Sequence, residues 1–376
     1  MRSTTVYGLG TMLLIVAIIA VCGCTGAGSA PASSQESGEM LTITDSLGRT
    51  VTVPKDPATV VCSGSGCLRY LTYLQEQHRI VGVDDIEIQE TVFDARPYAL
   101  ANPQFRTFPM IGEFRGADDP EKIVALAPDV IFKTYVESAD EADELSAKTG
   151  VPVVALAYGD LGTYREDMYA SLRLMAEVLD AEERGEAVIA FFDERIADLD
   201  ERTADIPADQ QKTVYIGGIA YRGPHGFQST EPLYPPFLFL DANNAAAEAG
   251  TTHADVAKEK IVEWDPDILF VDLSTLQTDP SAIDELGTDP AYLGLTAVKA
   301  GEVYGVLPYN WYTQNHGSVI ADAYYIGTVL YPDRFADVDP AAEADEIYTF
   351  LVGEPVFSEM NELFGGYAFT PLSTAP

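Results

Sequence analysis

Aromatic, basic and polar residues recur in short segments of this chain that follow apolar runs. Aromatic rings bury a large area at little conformational cost, and arginine pairs with carboxylates or oxyanions through two parallel hydrogen bonds. Because ligands of open α/β sheets bind at the carboxyl ends of the strands, we expect these segments to line one cleft. The candidates are Ser65, Arg69, Phe114, Arg115, Tyr135, Tyr158, Tyr221, Arg222, His225, Phe227, His253, Tyr309, Asn310, Trp311 and Tyr312. Together they predict a binding site for a bulky, flat or apolar ligand that carries oxyanions or carboxylates.

Histidine and cysteine give weaker indications of metal chemistry. His225 and His253 could contact a ligand directly or fill an open position on a metal, but a lone loop histidine more often makes an ordinary surface hydrogen bond. No metal site is therefore assigned. Cys62 and Cys67 are too few for an iron–sulfur cluster or a thiolate zinc site, and outside the cell they could form a disulfide or stay as two free thiols.

The sequence carries no complete motif of the common enzyme classes. It has no Gly-x-Ser-x-Gly elbow and no phosphate-binding loop, and residues 64–66 hold only part of the dinucleotide-binding fingerprint. The sequence therefore favours a binding protein over an enzyme. An α/β enzyme that acts on a metal chelate and a cell-surface adhesion module are the rival functions.

One unit of sequence occurs twice. Residues 121–132, EKIVALAPDVIF, match residues 259–270, EKIVEWDPDILF. In each copy a short amphipathic helix ends at Pro-Asp, because proline cannot continue the helical hydrogen-bond ladder, and a β-branched apolar run then predicts a buried strand. Asp118 and Asp119 are expected to supply the cap of the first helix, and Asp255 that of the second. The repeat indicates two related α/β halves.

Short apolar strands alternate with helical patterns on both sides of a long helical segment. This alternation predicts an α/β fold of two Rossmann-like, doubly wound lobes joined by one long rigid helix. We expect the N-terminal lobe at residues 41–163, the connecting helix at 164–203, and the C-terminal lobe with a C-terminal helix at 204–376. Within the connecting segment only Gly185 interrupts the residues that favour a helix.

The charge and the N-terminus indicate an exported protein that does not bind nucleic acid. The chain has 59 acidic and 22 basic residues, a net charge of −37, so a phosphate backbone would repel it. Residues 1–24 combine a basic start with a short apolar run, which is typical of an export signal. The residues before Cys24 resemble a lipobox, whose cysteine becomes lipidated, and an uncleaved signal anchor is the alternative. Residues 25–40, rich in Gly, Ser, Ala and Pro, predict a flexible tether.

The order of several short motifs carries a resemblance to a known family. The motifs are residues 43–54, 60–61, 63–65, 81–84 and 111–112 and the two Glu-Lys-Ile-Val helices. In this order they resemble the periplasmic binding proteins for ferric siderophores, haem and cobalamin over about residues 41–365. In that family a glutamate near the start of each repeated helix docks on arginines of a membrane permease, which implies this role for Glu121 and Glu259. The alternative is that each only favours a helix N-terminus electrostatically.

The resemblance implies a transport function. It predicts an extracytoplasmic, lipid-anchored substrate-binding protein of an ABC importer, which delivers its ligand to a permease and its ATPase. The expected ligand is a metal chelate: an iron–siderophore first, then cobalamin or another corrinoid, and then haem. We expect a monomer with no intrinsic cofactor and no catalytic residue.

Overall fold

The computed structural model describes residues 39–373 of the chain. The predicted export signal, Cys24 and most of the predicted tether lie outside these residues. The first strand starts at Met40, one residue before the predicted start of the N-terminal lobe. Within residues 39–373, no helix is both long and apolar enough to span a membrane.

The strands of the described residues fall into two groups, one before and one after a central helical segment. The first group, which we call the N-terminal lobe, contains β1 Met40–Thr44, β2 Thr50–Pro54, β3 Val60–Ser63, β4 Val83–Asp84, β5 Met110–Glu113, β6 Ala117–Asp118, β7 Val130–Lys133 and β8 Val153–Ala155. The second group, the C-terminal lobe, contains β9 Thr213–Gly217, β10 Ser229–Thr230, β11 Asn243–Asn244, β12 Ala254–Asp255, β13 Ile268–Asp272 and β14 Val303–Val306.

The central strands of both lobes are parallel and buried. In the N-terminal lobe β7 pairs with β3 and β8, and a bridge between Val60 and Ile80 leads from β3 towards the β4–β5–β6 sheet. In the C-terminal lobe the order is β11–β9–β13–β14, with all pairs parallel. Every residue of β3, β7 and β13 is buried, as expected for apolar strands that are covered on both faces.

Helices cover the sheets and connect the lobes. The N-terminal lobe has α1 Cys67–Tyr73, α2 Asp85–Ile88, α3 Pro97–Leu100, α4 Pro120–Leu126 and α5 Ala139–Thr149. The connecting segment has α6 Arg165–Leu179 and α7 Glu182–Thr203. The rest of the chain has α8 Pro235–Phe239, α9 Lys258–Trp264, α10 Ala282–Thr288, α11 Thr296–Ala300, α12 His316–Leu330, α13 Pro340–Val352 and α14 Phe357–Leu363. This mixed α/β arrangement confirms the predicted fold class.

The repeated sequence forms the same structure in both lobes. Helix α4 leads into β7, and α9 leads into β13, in two separate sheets. Each helix ends at a residue in the left-handed conformation, Ala127 with φ 48° and Asp265 with φ 42°. Asp119 caps α4 as predicted, because its side chain accepts a hydrogen bond from the amide of Lys122. Asp255 lies in β12 and does not cap α9, so that prediction was wrong.

The aspartate of each Pro-Asp pair has the same partner in both copies. Asp129 accepts hydrogen bonds from the amide and hydroxyl of Thr59, at 2.9 and 3.0 Å. Asp267 accepts the same two hydrogen bonds from Thr213, each at 2.8 Å. Each aspartate therefore connects the turn before one central strand to the start of the neighbouring strand.

The connecting segment differs from the sequence prediction. Residues 164–203 form two helices rather than one, because the chain turns at Asp180, whose φ is 56°. Aspartate tolerates this left-handed conformation better than most residues. The two helices contact each other at Gly185, where an added Cβ would lie 2.9 Å from the Cβ of Ala176. The prediction of one continuous helix was therefore wrong, and α7 alone is the long helix of this segment.

One buried apolar core continues from the N-terminal lobe to the C-terminal lobe. It includes Leu71 of α1, Met175 of α6, Phe192 of α7 and Ile320 of α12. The predicted C-terminal helix is two helices, α13 and α14, and α13 packs on both α12 and α1. The lobes are therefore held together by packed side chains as well as by the connecting chain.

Candidate functional site

A cavity of about 950 Å³ lies between residues of the two lobes. Its walls come from the loops that follow β3, β5 and β7 in the N-terminal lobe and β9, β13 and β14 in the C-terminal lobe. The loops gather there because parallel strands end at one edge of their sheet. The lining residues are Ser65, Phe114, Arg115, Tyr135, Ala220, Tyr221, Arg222, Gly223, Pro224, Gln277, Asn310, Trp311, Tyr312 and Thr313. Nine of the fifteen residues that the sequence predicts for the site are among them.

Hydrogen bonds hold the N-terminal wall of the cavity. The amide of Ser65 donates to the carbonyl of Phe114 at 2.8 Å, which joins the loop after β3 to the loop after β5. The amide of Phe114 donates to the carboxylate of Asp85 at 2.9 Å. The loop after β3 passes through Gly66 with φ 85°, where an added Cβ would overlap the ring of Tyr158. Only glycine both adopts this positive φ at little cost and leaves room for the Tyr158 ring, so the path of the loop depends on Gly66.

A buried ion pair supports the part of this wall that carries Arg115 and Tyr135. Nζ of Lys133, whose side chain is 1% exposed, lies 2.7 Å from Oδ2 of Asp118 and donates to the carbonyl of Gly116 at 3.0 Å. The interior solvates a charge poorly, so the ammonium group requires these partners. Because Gly116 follows Arg115 and Lys133 lies at the end of β7, the ion pair fixes the two loops relative to each other.

The C-terminal wall is formed mainly by the loop after β14. The side-chain amide of Asn310 donates to the carbonyl of Ala220 at 2.8 Å, which joins this loop to the loop after β9. Trp311 is largely buried and presents part of its ring to the cavity. The ring of Tyr312 meets the ring of Phe114 edge to face, with centroids 4.9 Å apart. This aromatic contact crosses from one lobe to the other.

Each lobe contributes one arginine to the cavity. The guanidinium carbon of Arg115 lies 5.0 Å from the ring centroid of Phe114, and that of Arg222 lies 5.4 Å from the ring centroid of Tyr221. Both side chains are exposed, and neither forms an ion pair within residues 39–373. No aspartate or glutamate lines the cavity in the described part of the chain. The cavity is therefore positively charged, although the chain as a whole is strongly acidic.

Four lining residues adopt a backbone conformation that favours glycine. They are Tyr135, Arg222, Tyr312 and Thr313, with φ of 52°, 57°, 49° and 71°. Each such residue costs about 1–3 kcal/mol and persists only where its surroundings hold it. Because all four residues line one cavity, the strained backbone conformations are concentrated at its wall.

Two aromatic candidates belong to the core rather than to the cavity. Phe227 is fully buried and packs against Tyr215 and Tyr292. Tyr309 is almost fully buried, with its ring 5.2 Å from that of Tyr234. Neither lines the cavity, because an aromatic residue in a loop can turn inward to fill the core, and a role in ligand contact stays a prediction.

Two further candidates of the N-terminal lobe lie behind the cavity wall. Arg69 is buried and its guanidinium donates to the hydroxyl of Tyr158. The Tyr158 hydroxyl donates to the carbonyl of Gln314 at 2.7 Å. Neither Arg69 nor Tyr158 lines the cavity, and their role as direct ligand contacts stays a prediction.

The two candidate histidines lie together beside the cavity without lining it. Nε2 of His225 is 2.7 Å from the carbonyl of Tyr221, and Nε2 of His253 is 2.7 Å from the hydroxyl of Ser229. His253 stacks on the ring of Tyr221 at 4.3 Å, and burial lowers the pKa of His253. Within residues 39–373, no three His, Cys, Asp or Glu side chains are placed to hold a metal ion. The histidines contact the Tyr221 loop from the side, and their role as ligand contacts stays a prediction.

The two cysteines of the described residues are free thiols. Cys62 is in β3 and Cys67 begins α1, and both are buried. Sγ of Cys67 lies 3.4 Å from the carbonyl of Phe132, and burial raises the pKa of the Cys62 thiol well above its usual range. Of the two predicted alternatives, the structure therefore has two free thiols and no disulfide between Cys62 and Cys67.

Five lining residues were not among the predicted site residues: Ala220, Gly223, Pro224, Gln277 and Thr313. Four of them flank predicted residues in the loops after β9 and β14, so the rule that loops after strands line the cleft includes them. Gln277 follows β13, and nothing in the sequence around it predicts a position in the cavity wall. The position of β13 next to β9 and β14 in the sheet is what brings Gln277 to the cavity.

The repeated helices present matching exposed residues. Glu121 and Glu259 lie in the first turns of α4 and α9, are exposed, and form no ion pair within residues 39–373. Val124 and Val262, three residues later on each helix, are 48% and 39% exposed. Residues three apart lie on one face of a helix, so each lobe presents a glutamate beside an exposed valine.

Comparison with curated proteins shows two similar relatives. The chain is 25% identical over 329 residues to the molybdate-binding protein MolA of Haemophilus influenzae, which covers 81% of this chain and 89% of MolA. It is 26% identical over 297 residues to the Fe(3+)-citrate-binding protein YfmC of Bacillus subtilis, which covers 78% of this chain and 86% of YfmC.

Solved structures show the same fold. The molybdate-bound structure of MolA, described as the cognate binding protein of a Haemophilus influenzae ABC transporter, matches with a TM-score of 0.63 at 23% identity. The match covers 83% of this chain and 98% of MolA. A periplasmic solute-binding protein from Veillonella parvula matches with a TM-score of 0.68 at 19% identity, over 89% of this chain and all of the other.

A family model described as "Periplasmic binding protein" matches residues 60–309, which include both central sheets and all of the cavity lining except residues 310–313. This match confirms the resemblance that the sequence motifs indicated. Because the family and the relatives bind solutes for transport, the prediction of a binding protein rather than an enzyme is confirmed, and this chain belongs to the periplasmic binding protein family.

Proposed function

We propose that this protein is the extracytoplasmic receptor of an ABC importer and that it captures an anionic iron chelate of the siderophore or ferric-citrate type. The observation that carries the proposal is the cavity with one arginine from each lobe, Arg115 and Arg222, and no lining carboxylate. Two separated cations suit a ligand with carboxylates or other oxyanions on more than one side. The aromatic side chains around them suit the flat or apolar parts of a chelate.

The lining also indicates that the metal arrives already chelated. No His, Cys, Asp or Glu side chain lines the cavity within residues 39–373, and these are the side chains that most often bind transition metals. The polar side chains of Ser65, Gln277 and Asn310 are suited to hydrogen bonds with the outside of a chelate. The similarity to YfmC supports ferric citrate as the first probe.

A bare oxyanion is the second candidate ligand, because the relative MolA is named for molybdate. The two arginines favour any oxyanion, but a tetrahedral oxyanion would fill only a small part of a cavity of about 950 Å³. Cobalamin or another corrinoid, and then haem, are the remaining ligands of this type. Their flat macrocycles would use the aromatic walls more than the arginines.

The proposal includes the membrane partners and the anchor. Glu121 and Glu259 dock on arginines of the permease, whose ATPase drives import, and the receptor works as a monomer. The resemblance of the residues before Cys24 to a lipobox supports a lipid anchor on the outer face of the cytoplasmic membrane. A cell-surface adhesion module, the rival function, would need no cavity that binds a small ligand in equimolar amount.

A binding panel tests the ligand class. Purified protein is titrated by calorimetry with ferric citrate, gallium citrate, citrate alone, molybdate, cyanocobalamin and haemin. We expect ferric and gallium citrate to bind in equimolar amount and much more tightly than citrate, because gallium reproduces the charge and shape of the ferric complex. If molybdate, cyanocobalamin or haemin were the one probe that binds tightly, the proposal of an iron chelate would be wrong and that probe would indicate the ligand class.

The two cavity arginines give the first mutational prediction. Arg115→Gln and Arg222→Gln should each weaken binding of the ferric chelate about tenfold or more, because a hydrogen bond to a charged group contributes about 1.5–3 kcal/mol. Arg106→Gln is the matched control, since Arg106 is an exposed arginine of the same lobe as Arg115 that does not line the cavity. Equal affinities for all three variants would show that the cavity charge does not select the ligand.

A further inference from the structure

The loop of residues 309–315 belongs to the C-terminal lobe and carries much of the cavity wall. Four of its residues line the cavity: Asn310, Trp311, Tyr312 and Thr313. The loop is a tight hairpin with a bridge between Asn310 and Gln314, and both Tyr312 and Thr313 have left-handed backbone conformations. Non-glycine residues keep this conformation only where their surroundings hold them. The loop therefore requires an external support.

Arg69 of α1, in the N-terminal lobe, supplies this support. Its Nη1 donates to the carbonyl of Gln314 at 2.8 Å and to the hydroxyl of Thr313 at 2.9 Å. Its Nη2 lies 3.4 Å from the carbonyls of Trp311 and Tyr312. The residue is 1% exposed and forms no ion pair within residues 39–373. A buried charge is unfavourable without partners, so the loop carbonyls and the guanidinium stabilise each other.

Aromatic rings complete the surroundings of this guanidinium. Its carbon lies 5.1 Å from the ring centroid of Tyr98 and 5.7 Å from that of Tyr158. The Tyr158 hydroxyl accepts from Arg69 and donates to the carbonyl of Gln314 at 2.7 Å. Just after the loop, Nε2 of His316 lies 3.1 Å from the carbonyl of Gly159. The contacts of Tyr158 with Gln314 and of His316 with Gly159 join the loop region to the N-terminal lobe, behind the cavity wall.

We infer that Arg69 is a positioning residue for ligand binding: it ties the loop of residues 309–315 to the N-terminal lobe and so sets the places of Trp311 and Tyr312 in the cavity. This inference rests on the proposed function in taking the cavity as the ligand site. Because Arg69 does not line the cavity, a bound chelate does not displace it. Ligand binding then does not have to order the loop, which favours affinity and rapid association.

Tryptophan fluorescence tests this inference in the full-length protein. The chain has two tryptophans, so Trp264→Phe leaves Trp311 as the only reporter. In this background Arg69→Met removes the guanidinium but keeps an unbranched apolar side chain, and Tyr158→Phe removes only one hydroxyl. Emission and acrylamide quenching of Trp311 are measured without ligand, and ferric citrate is the binding probe.

We expect Arg69→Met to shift Trp311 emission to the red, to increase its quenching by acrylamide, and to weaken ferric citrate binding tenfold or more. Tyr158→Phe should change all three in the same direction by a smaller amount. Arg79→Met is the matched control, because Arg79 is a half-buried arginine of the N-terminal lobe that binds Glu76 and the carbonyl of Pro57. It should lower the unfolding temperature without changing Trp311 emission or binding.

Arg69→Met and Tyr158→Phe together allow the inference to be tested even if one of the variants does not fold. Unchanged Trp311 emission and quenching in a folded Arg69→Met variant would overturn the inference, and if that variant does not fold, unchanged values in Tyr158→Phe would overturn it. Identical effects of Arg79→Met would also overturn it, because they would reduce Arg69 to general stability. If wild-type protein does not bind ferric citrate, the proposed ligand fails, and the Trp311 measurements still decide the role of Arg69.

Discussion

Arg115 and Arg222 are two of 22 basic residues in a chain with 59 acidic ones, and both lie in the same cavity. The net charge of the chain therefore does not predict the charge of its ligand. At short range the two guanidinium groups dominate, because salt screens more distant charges beyond about 8–10 Å. An acidic surface with a local basic cavity is compatible with capture of an anion.

Buried carboxylates below the C-terminal wall couple the stability of the protein to pH. Asp272 ends β13 and is fully buried; one of its oxygens accepts from the amide of Ser274 at 2.8 Å, and Oδ2 has no partner within residues 39–373. Asp322 of α12 is also fully buried, and its carboxyl accepts from the amide of Leu307 at 2.9 Å. Burial raises the pKa of Asp272 from 3.8 to about 7, and burial also raises that of Asp322 well above its usual range.

Asp272→Asn should therefore remove part of the pH dependence of unfolding. Between pH 4 and pH 7 the native Asp272 holds a proton that the unfolded chain has lost, so wild-type stability falls as pH rises, by about 1.4 kcal/mol per pH unit for this group. The variant should gain stability relative to wild type across this range and then keep a constant difference above about pH 7. Urea unfolding at a series of pH values measures this.

The control for this titration is Asp255→Asn, which changes an exposed aspartate of the same lobe. Its unfolding free energy should follow wild type at every pH. Parallel pH curves for wild type and Asp272→Asn would contradict the raised pKa of Asp272.

At the residue scale the sequence predicted which kinds of residue line the cavity better than it predicted which individual residues do. The rule that aromatic and basic loop residues after strands face a cleft agrees with Arg115, Tyr135 and Tyr312, which line the cavity. The same rule included Phe227 and Tyr309, which are buried in the core, because a sequence does not show which loop residues turn inward. Packing against neighbouring loops decides this, and it depends on residues distant in the chain.

At the scale of elements, α4 and α9 present the same exposed surface twice, and we propose that this surface docks on the permease. Each presents a glutamate in its first turn and an exposed valine three residues later. The glutamates favour the positive end of their own helix by about 0.3–1 kcal/mol, but this effect does not require an exposed valine beside them. Two matching surfaces, one in each lobe, suit a permease with two equivalent halves.

Charge reversal tests the docking role. Glu121→Arg and Glu259→Arg should each reduce uptake of radiolabelled ferric citrate by the native host tenfold or more, because they place like charges against the proposed arginines of the permease. Ferric citrate affinity of the purified variants should not change, since α4 and α9 do not line the cavity. Glu177→Arg, an exposed glutamate of α6, is the control for the change in net charge.

Two outcomes of this experiment would count against docking by these helices. The first is normal uptake by both reversed variants. The second is a loss of chelate affinity that matches the loss of uptake, because the glutamates would then act on the ligand rather than on the permease.

Elements with a strong local signal were predictable from the sequence. The Pro-Asp boundary and the apolar run after it gave α4 with β7 and α9 with β13 in the correct order. The break at Asp180 was not predictable, because neither proline nor glycine stands there and the residues on both sides favour a helix. The packing of α7 on α6 at Gly185 supports the turn, and that contact appears only in the folded chain.

For the whole molecule, the main consequence of the fold is a cavity whose walls come from two lobes that share one core. The continuous packing of α1, α6, α7 and α12 holds the lobes together, and Arg69 ties the loop after β14 to the opposite lobe. The boundaries of the lobes at residues 41–163 and 204–376 stay a prediction. The fold does not determine the ligand, which depends on the few side chains that line the cavity.

Native mass spectrometry of the protein purified from its own host under iron limitation tests the central claim most directly. We predict one bound anionic iron chelate per chain, and we predict that a variant carrying both Arg115→Gln and Arg222→Gln, purified in the same way, contains none. A bound corrinoid, haem or molybdate in wild-type protein, or equal chelate occupancy in the double variant, would contradict the account.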